Sequence, residues 1–192
     1  MVGKYIFKNN KMIGSIIFLT KRKEKPYYRK FISYMIAKMT RNKGQRVEDV
    51  KVHCAIIYRY DNILYVRDMD KKGDEHYTLK DYILKFQNRI EIYKPLFEFG
   101  DWNINRFNKS CKDEKVKYDY INTFVYQVIK KYIHKFIGKD TSYTRMCAED
   151  AQRQYNLLLP NYFKTPEATS PNEVHGKIVK DGWQVINFIS FN

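Results

Sequence analysis

Apolar residues run almost unbroken over residues 12–20, which predicts a buried strand entered at Gly14. Over residues 26–39 the spacing changes. Tyr28, Phe31, Ile32, Met35 and Ile36 recur at helical intervals, so a helix is expected there. The polar stretch 41–49 reads as a loop. Two β-rich runs follow, residues 50–60 and 63–69, and Asp61-Asn62 between them is a hairpin signal. Asp70-Lys71-Lys72-Gly73-Asp74 predicts a further turn, Thr78 a cap for a helix over 79–86, and residues 90–93 a short strand before Pro95. No periodicity stands out from 98 to 116, which is read as irregular.

The strongest stripe comes next. Ile121, Phe124, Val125, Val128, Ile129, Tyr132, Ile133 and Phe136 define one face of a helix over 118–137, ending at Gly138. Lys130, Lys131 and Lys135 lie largely off that face, so a membrane-surface helix is the alternative to core packing. A helix bearing Cys147 follows and stops at Pro160. Thr165-Pro166 and Ser170-Pro171-Asn172-Glu173 read as turns, with strands expected over 176–179 and 183–189. The pattern contains neither an internal repeat nor a low-complexity linker. It predicts one α+β domain spanning residues 1–192, a length that buries a sizeable core.

Composition changes this picture in two respects. Hydrophobic residues make up 44%, with 17 Tyr and 12 Phe, which excludes disorder over most of the length. The formal net charge of +15 favours polyanionic contacts, such as an anionic polymer, a membrane surface or nucleic acid. The basic residues are scattered, the densest clusters being Lys21-Arg22-Lys23, residues 41–46 and Lys130-Lys131, so a solvated lysine-rich surface accounts for them equally well. No RNA-binding or zinc-finger spacing accompanies them. Three cysteines do not close a disulfide set, and no signal peptide or membrane span is read. The expected location is the cytoplasm or a virion.

Cys147 lies in Tyr143-Thr144-Arg145-Met146-Cys147-Ala148-Glu149-Asp150, at the expected helix start. With Ser142 or Thr144 as cap, its thiolate would meet unpaired backbone N–H groups and the positive end of the helix dipole. Glu149 and Asp150 suit a helix start but oppose a thiolate if they point inward. Taken alone, Cys147 reads as a small buried hydrophobe. Cys54 should face away from His53 and pack in the core, and Cys111, in a polar stretch, should be exposed. His53 begins the strand His53-Cys54-Ala55-Ile56-Ile57-Tyr58. An imidazole base needs its second nitrogen held, and across the hairpin Asp68 and Asp70 share one face, so either can approach it.

Gly14-Ser15-Ile16-Ile17-Phe18, Val52-His53-Cys54-Ala55-Ile56-Ile57-Tyr58, Tyr65-Val66-Arg67-Asp68-Met69, Tyr77-Thr78-Leu79-Lys80-Asp81-Tyr82 and Ile90-Glu91-Ile92-Tyr93 occur in this order. They are followed by Lys117-Tyr118-Asp119-Tyr120, Met146-Cys147-Ala148-Glu149 and Ser170-Pro171-Asn172-Glu173-Val174. Together they resemble the circularly permuted branch of the papain-like NlpC superfamily, typified by YiiX-like hydrolases and lecithin:retinol acyltransferase. There the histidine strand precedes the cysteine helix. Ser15 stands where that family has an acid, Asp68 where it typically has Glu, and Ala148 where it has Ser.

The resemblance implies a permuted papain-like α+β fold, an antiparallel sheet packed on helices with the cysteine at a helix N-terminus. It implies a thiol hydrolase or acyltransferase acting on an amide, ester or thioester, with Cys147 as nucleophile, His53 as base and Asp68 as orienting residue. No metal or organic cofactor is needed. The substrates it spans are peptides, peptidoglycan and lipid acyl groups. Two other function classes stand beside it: a non-catalytic phage or bacterial structural module retaining the fold, and a basic nucleic-acid-associated protein.

Overall fold

The computed structural model describes residues 10–20, 34, 37–38, 40–70, 72–86, 90–119, 144–164 and 169–186. In chain order the elements are β1 (Ile16–Thr20), β2 (Lys51–Tyr60), β3 (Ile63–Asp70), β4 (Gly73–Thr78), α1 (Leu79–Phe86), β5 (Ile90–Lys94), α2 (Asp101–Asp113), β6 (Lys117–Tyr118), β7 (Thr144–Arg145), α3 (Cys147–Leu158), α4 (Pro171–Lys180) and β8 (Gln184–Ile186). Six strands form one antiparallel sheet in the order β4-β3-β2-β1-β5-β8, and β6 and β7 form a small parallel pair. The chain is thus α+β, with four helices among the described residues.

The central hairpin follows from local chemistry. Asp61 and Asn62 adopt φ of 47° and 61°, the left-handed pair that matches the twist of a two-residue hairpin. Tyr58 and Tyr65 then stand opposite each other and their rings stack at 5.7 Å. Thr78 caps α1 as its position predicts: its Oγ1 accepts from the Asp81 N–H at 3.2 Å and donates to the Asp81 carboxylate at 2.6 Å.

Several expectations are corrected. The first strand begins only at Ile16; Asn10–Met12 form a 3₁₀ turn and Gly14 takes φ of 78°. Met12 and Ile13 are buried without being strand, so their apolarity serves the core and not a ladder. Residues 101–113, read as irregular, are helix α2. Its inward stripe is thin, Ile104, Phe107 and Cys111, and its remaining positions are mostly polar. Cys111 is therefore fully buried, not exposed. Residues 73–78 are the edge strand β4, whose Gly-Asp-Glu-His-Tyr-Thr composition hides its period.

The Ser170 segment is not a free turn. Ser170 and Glu173 form a reciprocal capping box that starts α4, so residues 176–179 are helical where a strand was expected. Tyr118, expected to start a long helix, instead ends strand β6. The rest of that expected helix, His134, the 165–166 turn and residues 187–189 of the last expected strand lie outside the described residues. Of the expected helix over 26–39, Tyr34, Ala37 and Lys38 are helical and most of the remainder also lies outside.

Register assigns the two faces. Phe18, Cys54, Ile56, Arg67 and His76 share one; His53, Val66, Asp68 and Tyr77 share the other. The first is covered by α2, α3 and α4, through Arg67 to α2 and α3 and through the Phe18–His175 ring contact to α4. The second is covered by α1, where Tyr82 packs on Tyr77. A continuous core from Met12 to Trp183 ties the strands to all four helices. Among the described residues, no helix is long and apolar enough to cross a membrane.

Candidate active site

The site is built where the β2–β3 hairpin stops pairing. The Ile57 N–H donates to Ser15 and its carbonyl accepts from Gly14, both at 2.9 Å, so Ile57 turns its backbone toward β1. Alternation then turns the Cys54 N–H toward β3. The β2–β3 ladder, however, ends at Ile56 and Arg67. Beyond it the two strands separate, leaving the Cys54 amide without a ladder partner. On the other side of β2 the register slips between Leu19–His53 and Thr20–Lys51, so Val52 is an extra residue. Such a bulge bends the strand and re-aims the neighbouring side chain, here His53.

Across this gap the structure brings three separated residues together. His53 Nε2 hydrogen-bonds Asp68 Oδ1, and the side chains are 22% and 5% exposed. With Nε2 engaged, Nδ1 is the nitrogen left for another partner. Cys147 supplies one: it is the first residue of α3, buried beside Met69 and Val116. Asp70, the other acidic candidate, pairs with Gly73 at the far end of β3; the carboxylate bonded to the ring belongs to Asp68.

The electrostatics of the thiol and imidazole reinforce each other. Hydrogen bonding from the Cys54 thiol is the largest influence on Cys147. Burial opposes it, but the charge and hydrogen bond of His53 and the Cys54 backbone N–H add to it, and together they hold the Cys147 thiol well below its ordinary value. For His53, burial disfavours the charged ring; Asp68 and then Cys147 outweigh it and raise its pKa well above normal. Both shifts favour the thiolate–imidazolium form over the neutral pair. The helix end adds to this. Met146 occupies the N-cap with no side-chain cap bond, and the first turn of α3 is the positive end of the helix dipole. Of the expected caps, Thr144 lies in β7, two residues before the N-cap, and Ser142 lies outside the described residues.

The start of α3 is held in place by a buried charge network. Arg67 is fully buried and grips Asp150 with two bonds, Nε at 2.8 Å and Nη2 at 3.2 Å. Its Nη1 donates to the carbonyls of Cys111 and Glu114 at 2.9 and 2.8 Å, satisfying the C-terminal end of α2. Arg145 bridges Asp150 at 3.2 Å and Glu114 at 2.5 Å. Asp150 thus spends its charge on two arginines, and Glu149 binds Arg153 at 2.9 Å. The two acids beside Cys147 are both paired, which reduces their opposition to a thiolate.

Sequence reasoning missed Arg67, Arg145, Glu114 and Tyr82. Arg67 follows Val66 in a strand read as apolar-rich, and only its contiguity with Asp68 marked it. Tyr82 lies fully buried on α1. Burial and then the charge of Asp68 push its pKa up, and its hydroxyl closes no hydrogen bond of normal geometry. Cys54 is buried and on the face opposite His53, as alternation predicts, yet it too reaches Cys147.

Among the described residues, no three His, Cys, Asp or Glu side chains are grouped so as to hold a metal ion. A groove of about 680 Å³ lies at the other end of the sheet, lined by Ile13, Lys94, Phe97, Phe99 and Gln184, and contains none of these reactive groups. No family model matches the chain, and no curated protein or solved structure does either.

Proposed function

We propose that the chain is a cysteine-dependent hydrolase or acyltransferase of permuted papain-like architecture, cleaving an amide, ester or thioester. The observation that carries this reading is the meeting of Cys147, His53 and Asp68 at the gap between β2 and β3, with Cys147 at a helix start. The order of histidine strand, aspartate strand and cysteine helix agrees with the family resemblance, and so does the antiparallel sheet with helices on it.

In this reading the Cys147 thiolate attacks the carbonyl carbon, and the displaced electron pair moves onto the carbonyl oxygen. The first-turn N–H groups of α3 receive that oxyanion. His53 gives its proton to the departing nitrogen, oxygen or sulfur as the tetrahedral species collapses to an acyl-enzyme. Water or an acceptor alcohol or amine then attacks, with His53 as base, and Cys147 leaves as thiolate. Asp68 holds Nε2 throughout, keeping Nδ1 toward the sulfur.

The test compares wild type with Cys147→Ala and His53→Ala by electrophile labelling across pH, together with a panel of ester, thioester and peptide substrates. One cysteine, Cys147, should label fast, and its rate should depend on His53. Slow and equal labelling of all three cysteines would sink the reading.

A further inference from the structure

The gap between β2 and β3 holds a second thiol. Cys54 is 1% exposed and lies on the sheet face that α3 covers, two residues beyond the last β2–β3 pair. Met69, two residues past Arg67 on β3, shares that face and packs with Cys147, and the Cys54 thiol and backbone N–H both act on the Cys147 thiol. No strand hydrogen bond has to break for the two sulfurs to join, because the ladder has already ended.

We propose that Cys54 is the resolving thiol of Cys147: when a hydroperoxide oxidises Cys147, the product is a reversible Cys54–Cys147 disulfide that closes the site. This rests on the reading of Cys147 as a thiolate. The thiolate attacks one peroxide oxygen, the O–O bond breaks, and the departing hydroxide takes a proton and leaves as water. Cys147 is then a sulfenic acid, its sulfur oxidised by two electrons. The Cys54 sulfur attacks it, the S–O bond breaks, and the Cys54 proton leaves with the hydroxyl as a second water. Peroxide is the only oxidant consumed.

The surroundings favour this order of events. Burial and then the neighbouring Cys147 charge raise the Cys54 thiol pKa, so Cys54 is a poor first target for peroxide. Once Cys147 is a neutral sulfenic acid, that repulsion is gone. Cys111 is placed elsewhere: its thiol donates to Gln154 at 3.6 Å inside the α2–α3 contact, and burial raises its pKa despite Arg67.

The experiment treats the full chain with stoichiometric hydrogen peroxide, alkylates the remaining thiols, and maps the peptides by mass. Wild type should lose the mass of two hydrogens, yield a linked Cys54–Cys147 peptide pair, keep Cys111 alkylatable, and regain Cys147 labelling with dithiothreitol. Cys54→Ser should instead gain oxygen on Cys147 and yield no linked peptide pair. Sulfinic acid at Cys147 in wild type, with Cys54 still reduced, would overturn the proposal whatever the variant does. Labelling before oxidation separates the two readings. Fast Cys147 labelling without the disulfide removes only the resolving role; slow labelling of every cysteine with no disulfide removes both.

Discussion

Two histidine–aspartate pairs lie on opposite faces of the same sheet, and their rings are shifted in opposite directions. His53 with Asp68 faces α1, and His76 with Asp74 faces α2 and α3. Each ring uses Nε2 for the carboxylate, each histidine side chain is 22% exposed, and the carboxylates are 5% and 7% exposed. Yet His53 is raised far above the ordinary histidine value and His76 is lowered. Burial acts against the charge of both. What differs is the company. Asp74 also binds the Val116 N–H at 3.2 Å, Arg67 at 3.8 Å and Lys115 at 3.5 Å, and those two cations repel a charged His76. The Tyr58 hydroxyl meets His76 Nδ1 at 2.9 Å, which suits a neutral ring accepting there and donating from Nε2. His53 has the Cys147 thiol as its other partner instead. A carboxylate beside a histidine therefore does not set its charge; the other neighbours of the two groups do.

The largest effect should come from removing one histidine or the other. His53→Ala should cut any hydrolytic turnover about a thousandfold, in line with the usual worth of a general base. Cys147 labelling at pH 7 should fall roughly thirtyfold or more, since an ordinary thiol of pKa about 8.5 is only a few per cent ionised there. His76→Ala should leave that labelling rate unchanged. Equal losses from the two substitutions would erase the distinction between the pairs.

Arg67 couples the comparison to the fold. It follows the chain directly before Asp68 but points to the opposite face, so its charge acts on His76 and Asp150. Arg67→Met should destabilise the protein by about 3–5 kcal/mol, because it strips a buried carboxylate of its bidentate partner. Chemical denaturation measures this. Surviving folded protein should show a raised His76 titration midpoint and slower Cys147 labelling, as the start of α3 loosens. A destabilisation below about 1 kcal/mol would mean that Arg145 alone suffices for Asp150.

How far these pairs were readable from the sequence depended on what carried each. The hairpin was readable because Asp61 and Asn62 force a left-handed turn between β-rich runs. His53 and Asp68 as partners, and Cys147 at a helix start, followed from alternation and motif order. His76–Asp74 was not readable, because β4 is a polar edge strand whose residues are satisfied by distant groups such as Val116 and Lys115. Helix α2 was missed for a similar reason: a stripe of Ile104, Phe107 and Cys111 suffices when Arg67 satisfies its last carbonyls from outside. The capping box of α4 was present as Ser-Pro-Asn-Glu but read as a turn, which is what its first residues are before the helix they start is known.

A third histidine extends the comparison to stability. His175 bonds the Tyr93 hydroxyl at 2.8 Å, and burial, then nearby Lys51, lowers its pKa to about 4 against a weaker pull from Glu91. Its folded value lies below the unfolded one of about 6.5, so the unfolded chain takes up the proton first. Stability should fall as pH drops from about 6.5 through 4 as the unfolded chain gains this proton first. His53 works in the other direction: its raised value gives stability that is fully present below pH 6.5 and is lost as pH rises through the folded pKa. His175→Gln should flatten the acid limb of a stability–pH profile. An unchanged limb would place the acid sensitivity in other groups.

The smallest change should come from Lys115, whose Nζ lies 3.5 Å from Asp74 while its side chain is 75% exposed. Lys115→Gln removes one claimant on the Asp74 carboxylate and one cation beside His76. The His76 midpoint, followed by NMR titration, should move upward, and the difference from wild type should shrink as salt screens the exposed charge. His53 should not move, because it stands on the other face behind a carboxylate that Lys115 does not touch. If His53 shifted as well, the two pairs would share one field, and the difference between them could not be assigned to their separate neighbours.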